Sequence, residues 1–409
     1  MSDFEIRPVT DDEYPAFTLA FIEGFADDLP SDDFVDYIRK NLPPERTLAA
    51  FDGDDIVGTF GGYDLALTVP GGSQVGMEGT TIVTVYPTHR RLGLLRDMMR
   101  IHLDNAADAG LPVAGLWASE SGIYERFGYG IATHCYSVKM EGSTVAFRDE
   151  VDIDRVRRIS VEDAASVLPA VYEDVCRKTP GMFSRNESLW DEVLADDDWM
   201  KRGRTKLRIV AHEGSDGPDG YAIYRLKGGD SDDWHDSGTV SVNEVISATP
   251  RATASLWAFL TNIDMRSTVK YPFYPVEDPL GSMLTESRRI QRTFKHEALY
   301  VRILDVKAAL EARAYEHDGD LVIGLDDPFR ESASGNYRLT VENGTGTCLP
   351  TEDASDVSMD IHVLGALYLG GQSAYGYAEA NRVQGSSTDV DLLHRIFRTA
   401  RAPWCGQVF

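Results

Sequence analysis

The segment TIVTVYPTHRRLGLLRDMM, which runs from Thr81 to Met99, constrains the fold more than any other part of the sequence. Val83 and Val85 alternate with their neighbours as on one face of a β-strand, and Pro87 ends that strand because proline cannot donate to a ladder. An apolar stripe at helical spacing follows, formed by Leu94, Leu95, Met98 and Ile101. The segment therefore predicts a strand, a tight turn and a helix.

The turn of this segment has the features of an anion-binding loop. The start of a helix leaves backbone N–H groups unpaired, and these groups and the helix dipole attract anions. Gly93 permits close approach of a ligand to the backbone, and Arg90 and Arg91 add positive charge. A Walker loop is excluded because Gly-Lys-Ser/Thr is absent, and a dinucleotide fingerprint because only one glycine is present. We therefore predict a phosphate-binding turn, with a solvated basic turn as the alternative.

The chain of 409 residues is too long for a single core, and it divides into three segments. Segment 1–145 contains the strand, turn and helix described above and reads as mixed α/β. Segment 146–290 repeats the order strand, proline, helix weakly. Its loop position, Thr249–Ala254, contains no glycine, so we predict no cofactor there. Segment 291–409 combines strand, helix and hairpin patterns with an apolar helix within Met359–Gly371.

Two local patterns add detail to the first segment. Phe17, Phe21 and Phe25 recur at helical spacing, which predicts one helix that includes all three. Asp52 and Gly53 separate two apolar runs, which predicts a β-hairpin.

The charge of the chain is strongly negative, with a formal net value of −26 at pH 7. Nucleic acid and anionic membranes are unlikely partners, because phosphate binding needs a basic face. Aspartate outnumbers glutamate by 42 to 24, and arginine outnumbers lysine by 31 to 9. Strongly hydrated carboxylates with few lysines suit a cytoplasm near salt saturation, where screening removes self-repulsion. We predict a halophilic source, with an ordinary acidic protein as the alternative.

The remaining composition points to a cytoplasmic protein without a metal site. No run approaches the ~20 apolar residues that span a bilayer, and the acidic N-terminus lacks the apolar core of a secretion signal. The nine histidines show no ligand spacing, and the cysteines form no CxxC pair, so we expect neither a disulfide framework nor zinc. The cysteines are Cys135, Cys176, Cys348 and Cys405.

Two motifs of the first segment resemble those of the GNAT acetyltransferases. The run from Arg90 to Leu95 is similar to motif A, Arg/Gln-x-x-Gly-x-Gly/Ala, which binds the pyrophosphate of acetyl-CoA; Leu95 replaces the usual small residue. SGIYERFGYG resembles motif B through Tyr124, Gly128 and Tyr129. Together with ASESGIYERFGYGIAT, the first motif resembles the Eis-type N-acetyltransferases over the whole chain. The resemblance implies an α+β or α/β fold class, with tandem GNAT domains, the second degenerate, followed by a sterol-carrier-protein-like C-terminal α+β domain.

The same resemblance implies a set of site residues. Backbone N–H groups near Val83 would polarise the thioester carbonyl, Tyr124 would supply a proton to the departing thiolate, and the carboxylate of Phe409 would act as base. A terminal carboxylate titrates near ~3.5, so it needs burial or an ordered water to act in that way. Tyr129 competes with Tyr124 for the role, and we expect it to pack instead. The resemblance also implies that the strands holding Val83–Val85 and Trp117–Ser119 separate, and that pantetheine lies in the gap between them. The residues implied in acetyl-CoA binding are Val83, Thr84, Val85, Arg90, Arg91, Leu92, Gly93, Leu94, Leu95, Arg96, Ser119 and Glu120.

The amine acceptor is less constrained. An acidic pocket would attract polycationic amines such as aminoglycosides, polyamines or lysine side chains. Asp27 and Asp28 are candidates because the resemblance places Phe25–Phe34 beside the substrate; a solvated acidic face is the alternative, and the composition favours it. The family also implies a homo-oligomer, a hexamer. A different function also stays open, a lipid-binding protein with a vestigial acetyltransferase domain, although the intact Arg91–Leu95 loop favours an enzyme.

Overall fold

The computed structural model describes residues 4–27, 33–229 and 238–409. These form two units: the first comprises residues up to 133, 298–403 and 408–409, and the second comprises 134–297 and 404–407. The boundaries expected at 145 and 290 stay predictions.

The first part of the first unit alternates strands with three helices. Its strands are β1 (Glu5–Arg7), β2 (Thr47–Asp52), β3 (Asp55–Thr68), β4 (Gln74–Val85), β5 (Val113–Trp117) and β6 (Gly130–Ile131). Its helices are α1 (Tyr14–Gly24), α2 (Asp33–Asn41) and α3 (Leu94–Asp108). The predicted hairpin is confirmed: Asp52 lies opposite Asp55, and Gly53 takes a φ of 63° at the turn. The predicted strand, turn and helix are confirmed as β4 and α3.

The prediction that one helix includes Phe17, Phe21 and Phe25 is wrong at the C-terminal end of that helix. Phe17 and Phe21 are buried on α1, but Phe25 lies beyond the helix and is 47% exposed. The helix ends because Ala26 takes a left-handed φ of 58°. Gly24, the last residue of α1, lies close against β4. A Cβ at this position would lie 2.6 Å from the Thr84 side chain.

The second unit has eight strands, seven of which form one sheet. Its strands are β7 (His134–Glu141), β8 (Val156–Ile159), β9 (Phe183–Ser184), β10 (Arg208–Glu213), β11 (Pro218–Lys227), β12 (Gly238–Ser247), β13 (Arg266–Pro275) and β14 (Gln291–Glu297). Its helices are α4 (Val161–Cys176), α5 (Glu187–Leu194), α6 (Asp198–Lys201), α7 (Pro250–Thr261) and α8 (Leu280–Met283). The sheet order is β14-β7-β13-β12-β11-β10-β8.

The weak internal repeat is visible in this sheet. The parallel pair β12 and β13 is joined by α7, as the parallel pair β4 and β5 is joined by α3. Between β12 and α7, however, the Thr249 hydroxyl accepts from the Ala252 N–H at 3.1 Å. The start of α7 therefore carries a side-chain cap, and the expectation that no cofactor binds there stays a prediction.

The last third of the chain completes the first unit. Its strands are β15 (Leu299–Ile303), β16 (Gly319–Asp326), β17 (Gly335–Glu342), β18 (Thr345–Pro350), β19 (Val357–Asp360) and β20 (Val383–Gly385). Its helices are α9 (Val306–Ala312), α10 (Ile361–Leu367), α11 (Ala374–Glu379) and α12 (Ser387–Phe397). Strand β15 joins the first sheet, whose order becomes β1-β2-β3-β4-β5-β15-β6. The other strands form the sheet β18-β17-β16-β19-β20, and the predicted apolar helix is the wholly buried α10.

Three features bear on the classes of site and location considered above. All four cysteines are buried as free thiols. None of the helices in the described ranges combines the length and the apolar character that crossing a bilayer requires. Within the same ranges, no three side chains of His, Cys, Asp or Glu are grouped as a metal ion would need.

Candidate active site

The strands β4 and β5 run in parallel and then separate. Their pairing in register extends from Met77 opposite Val113 to Thr80 opposite Leu116. Beyond that pair, β4 continues to Val85, and the chain after β5 continues through the exposed Ser119 and Glu120. The unpaired ends leave two backbone edges facing the gap between them.

A β-bulge in β4 marks the place where the strands separate. The register with β3 passes from Thr81 opposite Gly61 to Thr84 opposite Thr59, and Ile82 takes a left-handed φ of 45°. The Thr59 hydroxyl holds the bulge by donating to the Ile82 carbonyl at 2.8 Å. A bulge re-aims the strand and interrupts its ladder. Within the described chain, Val83 has no partner in register in β3 or β5, which places it at the interruption of the ladder.

The turn between β4 and α3 presents backbone amides. Arg91 and Gly93 both take left-handed conformations, with φ of 66° and 92°, on either side of Leu92. Gly93 is the N-cap of α3, and no side chain caps the helix. Left-handed residues next to a free helix start make a concave set of N–H groups, which suits an anion. The turn therefore has the backbone conformation that the sequence predicted, and its role in anion binding stays a prediction.

The side chains around the turn divide into two groups. Arg90, Arg91 and Arg96 are exposed, and Arg91 forms no hydrogen bond or ion pair with any residue that the structure describes. Leu94 and Thr84 are buried instead, and the Thr84 hydroxyl lies 2.7 Å from that of Thr59. At these two positions only the backbone can contact a ligand. The remaining predicted cofactor positions, Val85, Leu92 and Leu95, are partly or fully exposed.

Tyr124 lies at the start of a single 3-10 turn, Glu125–Phe127, and packs against α3 in the core of the sheet. Its carbonyl accepts from the N–H groups of Phe127 at 3.0 Å and Tyr129 at 3.3 Å, which closes the turn. The side chain is only 5% exposed. Burial, with the carboxylate of Glu120 nearby, raises the pKa of Tyr124 to about 12. The phenol is thus protonated across the physiological range.

Tyr129 has a different environment. It is 1% exposed, and its hydroxyl lies 2.8 Å from that of Thr80, while Thr80 also contacts Nε2 of His102 at 2.9 Å. Burial raises the pKa of Tyr129 above its ordinary value. Its hydroxyl is committed to a buried network, so the side chain packs as we expected.

This buried network was missed by the sequence analysis. His102 lies on the buried face of α3, one turn after Met98, and burial lowers the pKa of His102 to about 3. Its Nε2 lies 3.7 Å from the carboxylate of Glu78, which Arg46 contacts at 2.8 Å. Burial raises the pKa of Glu78 in spite of Arg46. A polar residue within an apolar stripe was the available signal in the sequence.

The C-terminal residue is packed rather than frayed. The Phe409 ring meets that of Tyr63 edge to face, with centroids 6.4 Å apart. A Cβ at Gly79 would lie 3.1 Å from the Phe409 ring, so this glycine leaves the space that the ring occupies. Gly79 immediately precedes Thr80, the last residue of β4 that is in register with β5. The end of the chain is therefore held beside the strand that leads into the gap.

The residues before Phe409 are fixed within the second unit. The Trp404 indole N–H donates to the Phe273 carbonyl at 2.9 Å. The Arg185 Nε donates to the side-chain oxygen of Gln407 at 2.6 Å. The tail is thus hydrogen-bonded along its length.

The two acidic substrate candidates are placed differently. Asp27 is exposed, and its N–H donates to the Ile22 carbonyl at 3.1 Å, just beyond α1. Asp28 lies outside the described residues. The role of both in acceptor binding stays a prediction.

Comparison with known families agrees with this architecture. Residues 5–132 match a family model described as an acetyltransferase (GNAT) domain, and residues 181–303 match a second model of the same description. Residues 306–406 match a sterol carrier protein domain. The predicted fold class, tandem GNAT domains followed by a sterol-carrier-protein-like domain, is confirmed.

Individual relatives cover nearly the whole chain. An uncharacterized N-acetyltransferase of Streptomyces avermitilis is 34% identical, with 99% of each chain covered. N-acetyltransferase Eis of Mycobacterium tuberculosis is 34% identical over 95% of this chain and 94% of its own. The crystal structure of Eis1 from Mycobacterium abscessus aligns with a TM-score of 0.85 at 28% identity, covering 99% of this chain and 100% of that one. The chain therefore belongs to the Eis-like family of GNAT N-acetyltransferases and is an acyltransferase enzyme.

Proposed function

We propose that this enzyme transfers the acetyl group of acetyl-CoA to an amine of a cationic small molecule, of the aminoglycoside or polyamine kind, or to a peptidyl lysine. One observation carries the proposal. The unpaired ends of β4 and β5 and the uncapped start of α3 occur together, next to the motif that holds Tyr124. Together these supply an edge for an extended ligand and a site for its diphosphate.

Backbone amides between Arg90 and Arg96 would hold the diphosphate. The left-handed residues on either side of Leu92 favour an anion, and the exposed guanidinium of Arg91, which has no partner among the described residues, adds a positive charge. The pantetheine amides would pair with the edges at Val83–Val85 and at Ser119 and Glu120, as an added strand does. The residues present therefore fit acetyl-CoA.

The chemistry requires a polarised carbonyl and a proton for the leaving sulfur. The Val83 N–H would donate to the thioester carbonyl oxygen, where negative charge develops as the amine attacks. Tyr124 would donate its hydroxyl proton to the sulfur. Because the pKa of Tyr124 is about 12, the phenol keeps its proton until the sulfur becomes negative.

The amine must lose a proton before or during attack. The Phe409 carboxylate would accept it, either directly or through a water molecule, since an unperturbed terminal carboxylate is a weak base with a pKa near ~3.5. The fixed position of the Phe409 ring supports this role. The formal charge of −26, with Asp27 and Asp28 as candidate contacts, would favour a cationic acceptor.

Calorimetric titration with acetyl-CoA tests the cofactor site. We expect Arg91→Ala to weaken binding by about tenfold, the effect of one charge-assisted hydrogen bond. Arg251→Ala is the matched control, because Arg251 lies in the first turn of α7, the corresponding helix of the second unit, where Thr249 caps the helix. Equal loss in both variants, or no binding by the native enzyme, would contradict the proposed site.

Release of CoA thiol in the presence of a panel of amines tests the reaction. We expect polyamines, aminoglycosides or lysine peptides to give turnover and neutral alcohols to give none. Tight binding of apolar ligands without turnover would instead favour the carrier function. The expected homo-oligomer, a hexamer, is checked separately by light scattering.

A further inference from the structure

The turn that carries Tyr124 is held by its own backbone hydrogen bonds, and one of its sides faces a cavity. Gly128 takes a left-handed φ of 85° and donates its N–H to the Glu125 carbonyl at 2.8 Å. A cavity of about 310 Å³ borders the turn, lined by residues that include Gly122, Glu125 and His362. On the side that faces the cavity, the turn is therefore not held by packed side chains alone.

A buried arginine lies against the turn. Arg302, on β15, is 0% exposed, and a Cβ at position 128 would lie 2.5 Å from its Nη1, 2.6 Å from Cζ and 2.8 Å from Nε. Three such distances mean that the guanidinium lies flat against Gly128. Nε and Nη1 have no hydrogen-bond partner among the described residues. Within the described chain, these two nitrogens therefore meet Gly128 through van der Waals packing and not through hydrogen bonds.

The position of Arg302 is set by a single carboxylate. Its Nη2 donates to Asp327, which is also 0% exposed and lies in the loop after β16. The other oxygen of Asp327 accepts from the N–H groups of Phe329 at 3.2 Å and Arg330 at 3.0 Å. The Asp327 N–H donates to the Ser334 hydroxyl oxygen at 2.8 Å. The carboxylate is thus fixed by its own loop.

The same loop contacts the helix that begins at the anion-binding turn. Arg100 of α3 donates to the Phe329 carbonyl at 3.0 Å, and Arg330 contacts Asp104 of α3 at 3.0 Å. The Phe329 ring also meets that of Phe127, in the Tyr124 turn, with centroids 5.0 Å apart. One loop of the sterol-carrier-like domain therefore contacts both the helix α3 and the turn of Tyr124.

We propose that the ion pair between Asp327 and Arg302 is a positioning element of the acetyl-transfer site, which presses the guanidinium against Gly128 and so fixes the turn that carries Tyr124. This inference rests on the proposed function of Tyr124. It gives the sterol-carrier-like domain a part in catalysis through its loop, without a ligand of its own. Asp327 and Arg302 act through the turn and touch no reacting atom.

Three variants test the positioning role by separating kcat from KM. Asp327→Asn removes the charge that holds Arg302. The double variant Arg302→Met with Asp327→Leu removes both charges and fills their space with apolar side chains. Such replacements preserve folding at other buried ion pairs. Gly128→Ala places a methyl group against the guanidinium. We expect kcat to fall about 100-fold in each, as displacement of a catalytic group by about 1 Å does, with the KM for acetyl-CoA within about threefold of native.

Two control variants accompany these three test variants. Gly122→Ala lies in the same motif, but a Cβ there meets nothing within 4 Å. Asp320→Asn breaks an exposed ion pair with Arg338 in the same domain. We expect native kcat in both. Native kcat in the folded double variant, or a loss in the controls equal to that in the test variants, would overturn the proposal.

A spectroscopic measurement tests the turn without turnover. In protein labelled with 3-fluorotyrosine, the resonance absent from Tyr124→Phe identifies Tyr124. We expect it to shift or split in the double variant and to stay at the native position in Asp320→Asn. An unchanged resonance overturns the positioning role even if the enzyme proves to use another reaction. Failure of native protein to release CoA with any amine would instead contradict the proposed function alone.

Discussion

The rings of Tyr124 and Tyr129 lie edge to face, with centroids 6.2 Å apart, but their hydroxyls have different surroundings. The Tyr129 hydroxyl is bonded to Thr80, whereas within the described chain the Tyr124 hydroxyl has no hydrogen-bond partner. We therefore expect the two neighbouring tyrosines of this motif to differ in role, with Tyr129 serving the structure and Tyr124 the chemistry. This division can be tested by removing one oxygen at a time.

Removal of each hydroxyl should give opposite results. We expect Tyr124→Phe to lower kcat by about 10²- to 10⁴-fold with little change in stability, because a general acid is lost and no hydrogen bond is broken. Tyr129→Phe should cost about 1–3 kcal/mol of unfolding free energy, because the Thr80 hydroxyl loses a buried partner. Its kcat should stay within about threefold of native, an effect too small for loss of an acid. Urea unfolding and CoA release measure the two quantities, and the reverse pattern would exchange the roles.

The pH dependence of the reaction follows from the same assignment. A proton donor must hold its proton, and the pKa of Tyr124 is about 12, so no decline of kcat on the alkaline side should begin below about pH 11. The rate should rise toward the pKa of the acceptor amine, near ~10 for a lysine-like group. Initial rates in overlapping buffers check this. A decline centred near pH 8 would exclude Tyr124 as the acid.

The position of the last carboxylate gives another prediction. One glycine added after Phe409 moves the carboxylate by about 3.5 Å, so we expect turnover to be lost while acetyl-CoA affinity stays native. Phe409→Ala keeps the carboxylate but loses the ring contact with Tyr63, and it should retain part of the activity. A glycine added at the N-terminus is the control. Native turnover in the extended enzyme would remove Phe409 from the mechanism.

The buried His102 should make stability depend on pH. Its folded pKa is about 3 and its unfolded pKa is near ~6.5, so the unfolded chain binds the proton more tightly. The unfolding free energy should therefore fall as pH drops below ~6.5, by up to about 1.4 kcal/mol per pH unit, until pH ~3. The raised pKa of Glu78 acts in the opposite direction. Because Glu78 is present in both proteins, the difference in slope between native enzyme and His102→Gln isolates the histidine, and equal slopes would contradict the assignment.

Local patterns predicted the turn between β4 and α3 because each of its parts lies within a few residues of the next. Pro87 ends a strand, Gly93 takes the left-handed conformation that begins α3, and both are visible in the sequence itself. The same logic failed at Phe25, because helical spacing does not show that Ala26 turns the backbone. Periodicity identifies an apolar face more reliably than the residue at which a helix ends.

Contacts between distant residues could not be predicted in this way. The bond between Thr80 and Tyr129 joins residues 49 apart in sequence, and Arg302 contacts Asp327 only because β15 returns to the first sheet between β5 and β6. Nothing in the run VRILDV shows which sheet it enters. The family resemblance supplied Tyr124 and Phe409, whereas the residues that hold them in place became visible only in three dimensions.

The acidic composition predicts that stability depends on salt. The net charge of −26 repels itself, and the Debye length shrinks from about 10 Å at ~0.1 M to about 3 Å at ~1 M salt, so added KCl should screen that repulsion. We expect the urea midpoint to rise steeply between about 0.1 M and about 1 M KCl and then to level off, because screening is nearly complete once the Debye length is shorter than the spacing of charges. Sucrose of equal osmolality is the control, since it favours the compact state by exclusion from the surface and leaves the charges unscreened. Equal stabilisation by sucrose and KCl, or full stability in dilute buffer, would contradict adaptation to a salt-rich cytoplasm. A urea midpoint that rises with KCl but not with sucrose would link the salt dependence to the excess of carboxylates.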